Sequence, residues 1–202
     1  MERTAKPVPL GLGFRVKSGW AVAVLLAGPR NAPKLVRCQT LLLSDPEIPQ
    51  SKQPYHAVLG LPEKERKSLL RKLRKVVADA LKKSLHELQR QATADGYRVA
   101  GAGLVVGSLV DPATLHNEHI RAHALEGQLF RTVLEEALGE RGISAKVFLE
   151  KGAYLAASEV LGKSAAAAKR WIRGLGDFQE GSWRAEEKLA ALAAWVALCR
   201  EK

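Results

Sequence analysis

Three short apolar runs stand near the start of the chain: LGLGFRV from Leu10, WAVAVLLAG from Trp20 and KLVRCQTLLL from Lys34. They are separated by Lys17-Ser18-Gly19 and by GPRNAP at 28–33, whose glycine, proline, serine and asparagine are residues that reverse a chain. Links this short pair neighbouring strands antiparallel, so residues 10–43 predict a three-stranded meander. Residues 1–9 carry no period and are expected to be a disordered tail. Segment 44–62 holds four prolines (Pro46, Pro49, Pro54, Pro62) and no period, which predicts a loop.

The period then changes from two to 3.6. From Glu63 to about Ala94, Leu69, Leu70, Leu73, Val76, Val77, Ala80, Leu81, Leu85 and Leu88 share one helical face, and Lys64, Lys67, Arg71, Arg74, Lys75 and Lys82 share the opposite one. Gly96 ends this helix, and RVAGAGLVVGSLV follows with the composition of a strand buried on both faces. Asp111 and Pro112 look like an N-cap and first-turn proline, predicting a helix to Arg141 with Gly142 as its stop. A fifth strand is expected at 144–150. Short helices follow at 153–161 and from Ser164 through Trp171 to Arg173, then a glycine-bearing loop at 174–181. A final helix starts at Ser182 or Trp183. The expected architecture is α/β, a mixed five-stranded sheet in a single domain over 10–202.

Three antiparallel strands followed by alternating helix and strand resemble the ribonuclease H-like superfamily. LGLGFRVKSGWAVAV is similar in spacing to the opening of RuvC-type resolvases and their relatives. EGQLFRTVLEEALGERGISAKVFLEKGAY, GKSAAAAKRWIRGLG and EEKLAALAAWVAL resemble the helix, strand, basic helix and alanine-rich last helix of that group. The resemblance implies a nuclease ancestry in which carboxylates on the first strand, at the end of the fourth and on the last helix hold two divalent metals. This chain departs from that pattern. Gly13 falls at the first-strand position, Gly107 and Ser108 at the end of the fourth strand, and Asp111 is the nearest acid there. On the last helix Glu187 best matches the family's aspartate, with Glu186 before it and Arg184 where a second acid can occur. The standard two-metal nuclease is therefore not expected, and a degenerate or altered site is.

Composition adds one strong signal. In 202 residues, 32 lysines and arginines against 21 acids give a net charge of +11, which favours polyanionic partners through release of their counterions. The excess is concentrated: ten basic residues lie between positions 64 and 90 against Glu65, Asp79 and Glu87. Phosphate-backbone contact, an acidic protein partner and a merely solvated face all fit this stripe. A second basic element, Lys163, Lys169, Arg170 and Arg173, surrounds Trp171, whose indole could stack on a base or simply be buried. No Walker-type lysine sequence or dinucleotide fingerprint is present.

The two cysteines, Cys38 and Cys199, are far apart and read as small hydrophobes in a reducing compartment. The apolar runs at 20–28 and 189–198 are about half the length of a membrane span. Basic residues before Trp20 raise a secretory leader, but the strand-like alternation argues for a hairpin and a cytoplasmic protein.

The remaining candidate chemistry is a stripe of His116, His119, His123 and Glu126, which on one helix occupies an arc of about 80°. His119 and His123 have the i, i+4 separation that lets two imidazoles share a metal, and Glu126 could supply an oxygen ligand or a base. Three readings stay open: a divalent metal (Mg, Mn or Zn) on His119, His123 and Glu126; a contact to polar substrate or nucleic acid; and plain structure, with Glu126 paired to Arg121 or Arg131. The leading expectation is a DNA- or RNA-binding protein using Lys64, Lys67, Arg71, Arg74, Lys75, Lys82, Lys169, Arg170 and Arg173, with His119, His123, Glu126 and Glu187 as an altered polar site. The alternatives are a metal-dependent phosphodiesterase built on the histidines and a non-catalytic module for a protein partner.

Overall fold

The computed structural model describes residues 6–178 and 181–199. Its five strands, β1 (Val8–Lys17), β2 (Trp20–Ala27), β3 (Lys34–Leu42), β4 (Tyr97–Val106) and β5 (Ala145–Leu149), form one sheet in the order β3-β2-β1-β4-β5. β1, β2 and β3 pair antiparallel, whereas β4 runs parallel to β1 and β5 parallel to β4. Five α-helices accompany them: α1 (Glu63–Ala94), α2 (Glu118–Gly139), α3 (Ala153–Leu161), α4 (Ala165–Leu175) and α5 (Ala185–Cys199). This sheet order and connectivity are the ribonuclease H-like arrangement.

Strand alternation divides the core into two layers. Leu10, Leu12, Phe14 and Val16 of β1, with Ala21, Ala23 and Leu25 of β2, pack under α1 and α2. Val22, Val24 and Leu26 pack under α3, α4 and α5 on the other face. The α1 helix buries Leu73, Val77, Leu81, Leu85, Leu88 and Ala92, spaced at three and four residues, and no residue before Leu73 is buried. By contrast, α5 buries every residue from Leu189 to Leu198, being held between the sheet and the other two helices.

That packing depends on missing side chains. A Cβ at Gly13 would stand 2.9 Å from the Ala190 carbonyl carbon and nearer still to its oxygen, and one at Gly103 would stand 2.6 Å from the Ala193 oxygen. Glycines on β1 and β4 face alanines on α5, so helix backbone lies almost directly on strand backbone.

Several expected boundaries move. β1 starts at Val8, which pairs with Tyr97, so Val8 and Pro9 belong to the sheet rather than to a tail. Residues 1–5 of the expected tail, residues 179–180 of the expected loop and residues 200–202 lie outside the described residues. Asp111 does cap a helical turn, accepting from the Ala113 N–H at 2.9 Å, but that turn is a 3₁₀ segment at Pro112–Thr114. The long helix starts afresh at Glu118 with the Asn117 side chain accepting from the Ile120 N–H at 3.0 Å. His116 therefore stands in the connecting loop and not on the helical stripe. The last helix begins at Ala185, two or three residues later than expected.

Candidate functional site

The proline-rich segment between β3 and α1 is ordered from within. Ser51 is fully buried in a 3₁₀ turn at Pro49–Lys52; its hydroxyl accepts from the Asp45 N–H at 2.9 Å and donates to the Asp45 carbonyl at 3.1 Å. Beyond it Tyr55 packs on the core under α1 and α2, Val58 is buried, and His56 meets α2.

His56 is held at two points by one oxygen. Oε1 of Glu126 lies 2.8 Å from the ring Nδ1 and accepts from the His56 backbone N–H at 3.2 Å. Glu126 is fully buried. A carboxylate at Nδ1 assigns the ring proton to that nitrogen and leaves the Nε2 lone pair on the far edge. This Nε2 is shielded from solvent and has no protein partner among the described residues, and neither does Glu126 Oε2.

The His56 ring meets His119 and His123, which α2 presents from successive turns. The ring centroids lie 4.6 Å and 4.2 Å from His56 and 4.7 Å from each other. The two helix histidines approach Nε2 to Nε2 at 3.2 Å. One ring nitrogen from each of the three lies within 4.8 Å of the others.

The expected set of His119, His123 and Glu126 is thus rearranged. Glu126 turns inward to orient His56, and Arg121 and Arg131 pair with Glu118 and Glu135 instead. No pattern in the sequence marks His56. It lies in a segment without period, and nothing local relates it to residues more than sixty positions away.

Next to this cluster, the ends of β1 and β4 border a cleft of about 260 Å³ lined by Arg15, Lys17, Ser18, Gly107, Ser108 and His123, among others. Arg15 is only 3% exposed; it donates to the Val16 carbonyl at 3.1 Å and pairs with Glu150. Lys17 pairs with Glu186 at 3.1 Å, and its ammonium holds the Glu186 carboxyl below the usual range. The end of β1 therefore carries cations that are ion-paired, and the backbone of α5 occupies the space a side chain on Gly13 would need. The side chains lining this cleft include no carboxylate and do not fit the two-metal carboxylate site that the resemblance implies.

Glu187 does not join the histidines. It accepts from the Arg184 N–H at 2.7 Å at the start of its own helix, and α5 belongs to the layer on the opposite face of the sheet from α2. The two basic elements are likewise separated, since α1 packs in the first layer and α4 in the second. On α4, Lys169, Arg170 and Arg173 are exposed; Lys169 Nζ lies 5.1 Å from the Tyr154 ring centroid. Trp171 is 40% exposed, with its ring 6.0 Å from the buried Trp195.

All ten basic side chains between 64 and 90 are exposed. Four are paired: Lys67 with Glu63, Lys75 with Asp79, Lys82 with Glu140 and Arg90 with Glu87. Lys64, Arg66, Arg71, Lys72, Arg74 and Lys83 have no acidic partner among the described residues. Five of these six fall in the first part of α1, where no side chain is buried until Leu73.

Fold and site together define an α/β protein of ribonuclease H-like architecture with ion-paired cations at the end of its first strand and a histidine cluster backed by a buried carboxylate. Among solved structures, the chain is similar to RuvC of T. thermophilus in complex with Holliday junction substrate, at 11% identity and a TM-score of 0.48, over 93% of this chain and 90% of that one. A structure of Thermus thermophilus RuvC aligns at 10% identity and 0.49, over 93% and 92%. The yeast mitochondrial Holliday junction resolvase aligns at 12% and 0.49, over 94% and 78%. No family model and no curated protein sequence matches. No helix among the described residues is long and apolar enough to cross a membrane.

Proposed function

We propose that this protein binds nucleic acid through the exposed basic stretch of α1 and does not cleave it by the two-metal carboxylate route. One observation carries the reading: six lysines and arginines on one helix lack an acidic partner among the described residues, five of them within residues 64–74. Side chains that only keep a helix soluble are ordinarily interspersed with acids. Free cations at close spacing instead displace counterions from a phosphate chain, which is a large part of the affinity of such complexes.

The test is fluorescence anisotropy with single-stranded, duplex and branched DNA and with RNA between 50 and 200 mM salt. Each phosphate neutralised contributes a slope of about −0.9 in log K against log salt on duplex DNA. Reversing Arg71, Lys72 and Arg74 to Glu is expected to flatten that slope by about 2–3, on the same scale. Binding that ignores salt, or none at 50 mM, refutes the reading and leaves the acidic protein partner as the use of this surface.

A second reading is favoured by a separate observation. His123 belongs to both the histidine cluster and the cleft at the strand ends, so a metal-dependent phosphodiesterase built on His119 and His123, with Glu126 behind His56, has a place to act. Cleavage of branched or single-stranded DNA that requires a divalent ion and is lost in His123→Ala would establish it. No cleavage with Mg²⁺, Mn²⁺ or Zn²⁺ would remove it.

A further inference from the structure

We infer that His56, His119 and His123 bind one divalent ion of the zinc class, with Glu126 orienting His56 from behind. This goes beyond nucleic-acid binding and does not require cleavage; it replaces Glu126 as a ligand with a histidine from the proline-rich segment.

The distances suit the ion. Tetrahedral coordination with metal–nitrogen bonds of 2.0–2.1 Å places neighbouring ligand nitrogens about 3.3 Å apart. His119 and His123 already meet at 3.2 Å, and all three donors lie within 4.8 Å. Both helix imidazoles are exposed, so their side chains have room to turn, and their ring centroids already lie 4.6 and 4.2 Å from that of His56.

The hydrogen bonding suits it as well. A ligating histidine usually gives its other N–H to a carboxylate, which sets the tautomer and strengthens the donor. Glu126 does this for His56, and the backbone N–H bond to the same oxygen fixes where the ring stands. A lone pair at the buried, unpartnered Nε2 is costly unless something accepts it. Ordinary ring packing does not explain the cluster, because two of its three rings remain in solvent and gain little burial.

The donor set chooses the metal. Three neutral imidazoles suit zinc and the later first-row ions, whereas magnesium and calcium want oxygen ligands. Three protein ligands also leave a tetrahedral ion one further position for water or a ligand.

The experiment uses the full chain, stripped with chelator and titrated calorimetrically with ZnCl₂, and in parallel with CoCl₂ read by visible absorption. Expected results are one ion per chain, the intense spectrum of four-coordinate cobalt, and a higher melting temperature with zinc. His119→Ala and His123→Ala, both at exposed positions, should each lose the binding while keeping the far-UV spectrum. His116→Ala, in the adjacent loop, should bind as the parent does. Glu126→Gln should weaken binding about 10–100-fold, the usual effect of losing such a partner. Absence of stoichiometric binding, binding unchanged in the His119→Ala/His123→Ala double variant, or a weak six-coordinate cobalt spectrum would each overturn the site. Zinc uptake without nuclease activity upholds it and refutes only the phosphodiesterase.

Discussion

Placing a single methyl group on Gly13 tests the account of why the first strand carries no carboxylate. In Gly13→Ala the new carbon stands 2.9 Å from the Ala190 carbonyl carbon and closer to its oxygen. Ordinary contact begins near 3.4 Å, and the obstacle is backbone in the middle of α5, so the helix must shift as a body. Overpacking of this kind costs about 1–3 kcal/mol, and rigid backbone puts this site near about 3 kcal/mol. For a domain of this size each kcal/mol moves the melting temperature by about 2–4 °C, so a drop of about 6–12 °C is expected. Gly13→Asp adds a buried charge and should fall further. Gly127 on α2 is the control: its Cβ would meet nothing within 4 Å, so Gly127→Ala removes a helix-interior glycine and should gain about 0.5–1 kcal/mol. Circular dichroism melts of the parent and the three variants decide the matter. A Gly13→Ala protein melting within about 2 °C of the parent would mean that α5 does not lie on β1 as described.

Three further outcomes are expected. Ser164→Ala removes the hydroxyl that accepts from the Ala167 N–H at the start of α4, and urea unfolding should show a loss of about 1 kcal/mol; no loss would mean the cap is not formed in solution. Glu126→Ala leaves the ring and backbone N–H donors of His56 without their acceptor, at about 1–3 kcal/mol for each donor that stays buried. Unchanged urea stability in that variant would contradict the buried contact. Burial, with the charge of Glu187, pushes the Cys38 thiol up to about 11. An unfolded thiol titrates near about 8.5, so the folded chain keeps its proton longer, and stability should decline as pH rises from about 8.5 towards 11. Cys38→Ala should lose less between pH 7.5 and 10 by urea unfolding, and equal losses in both proteins would refute the assignment.

What could be read from sequence follows the range of the forces involved. The α1 bounds, Glu63 and Ala94, come out as expected because leucines at Leu73, Leu81, Leu85 and Leu88 repeat with the helical period over many turns. The meander is equally local. The α2 start was misplaced because two good caps compete: Asp111 closes a turn only three residues long, and Asn117 opens the real helix. Gly13 was legible as a missing carboxylate, but its packing role depends on Ala190, which reaches it only through the tertiary fold. The histidine cluster was half visible. An i, i+4 pair announces itself, whereas His56 and the inward turn of Glu126 depend on how a loop without period settles against α2.

The uneven support of α1 gives it an internal contrast. Its first ten residues have no buried side chain, while the remainder is anchored at Leu73, Val77, Leu81, Leu85, Leu88 and Ala92. Amide hydrogens in the leading segment should therefore exchange with solvent through local fraying, and those in the anchored part only through larger opening. A bound polyanion would slow exchange in the leading segment selectively. The same helix thus supplies both the reporter and its reference, and occupancy of the cationic segment becomes readable peptide by peptide within one molecule.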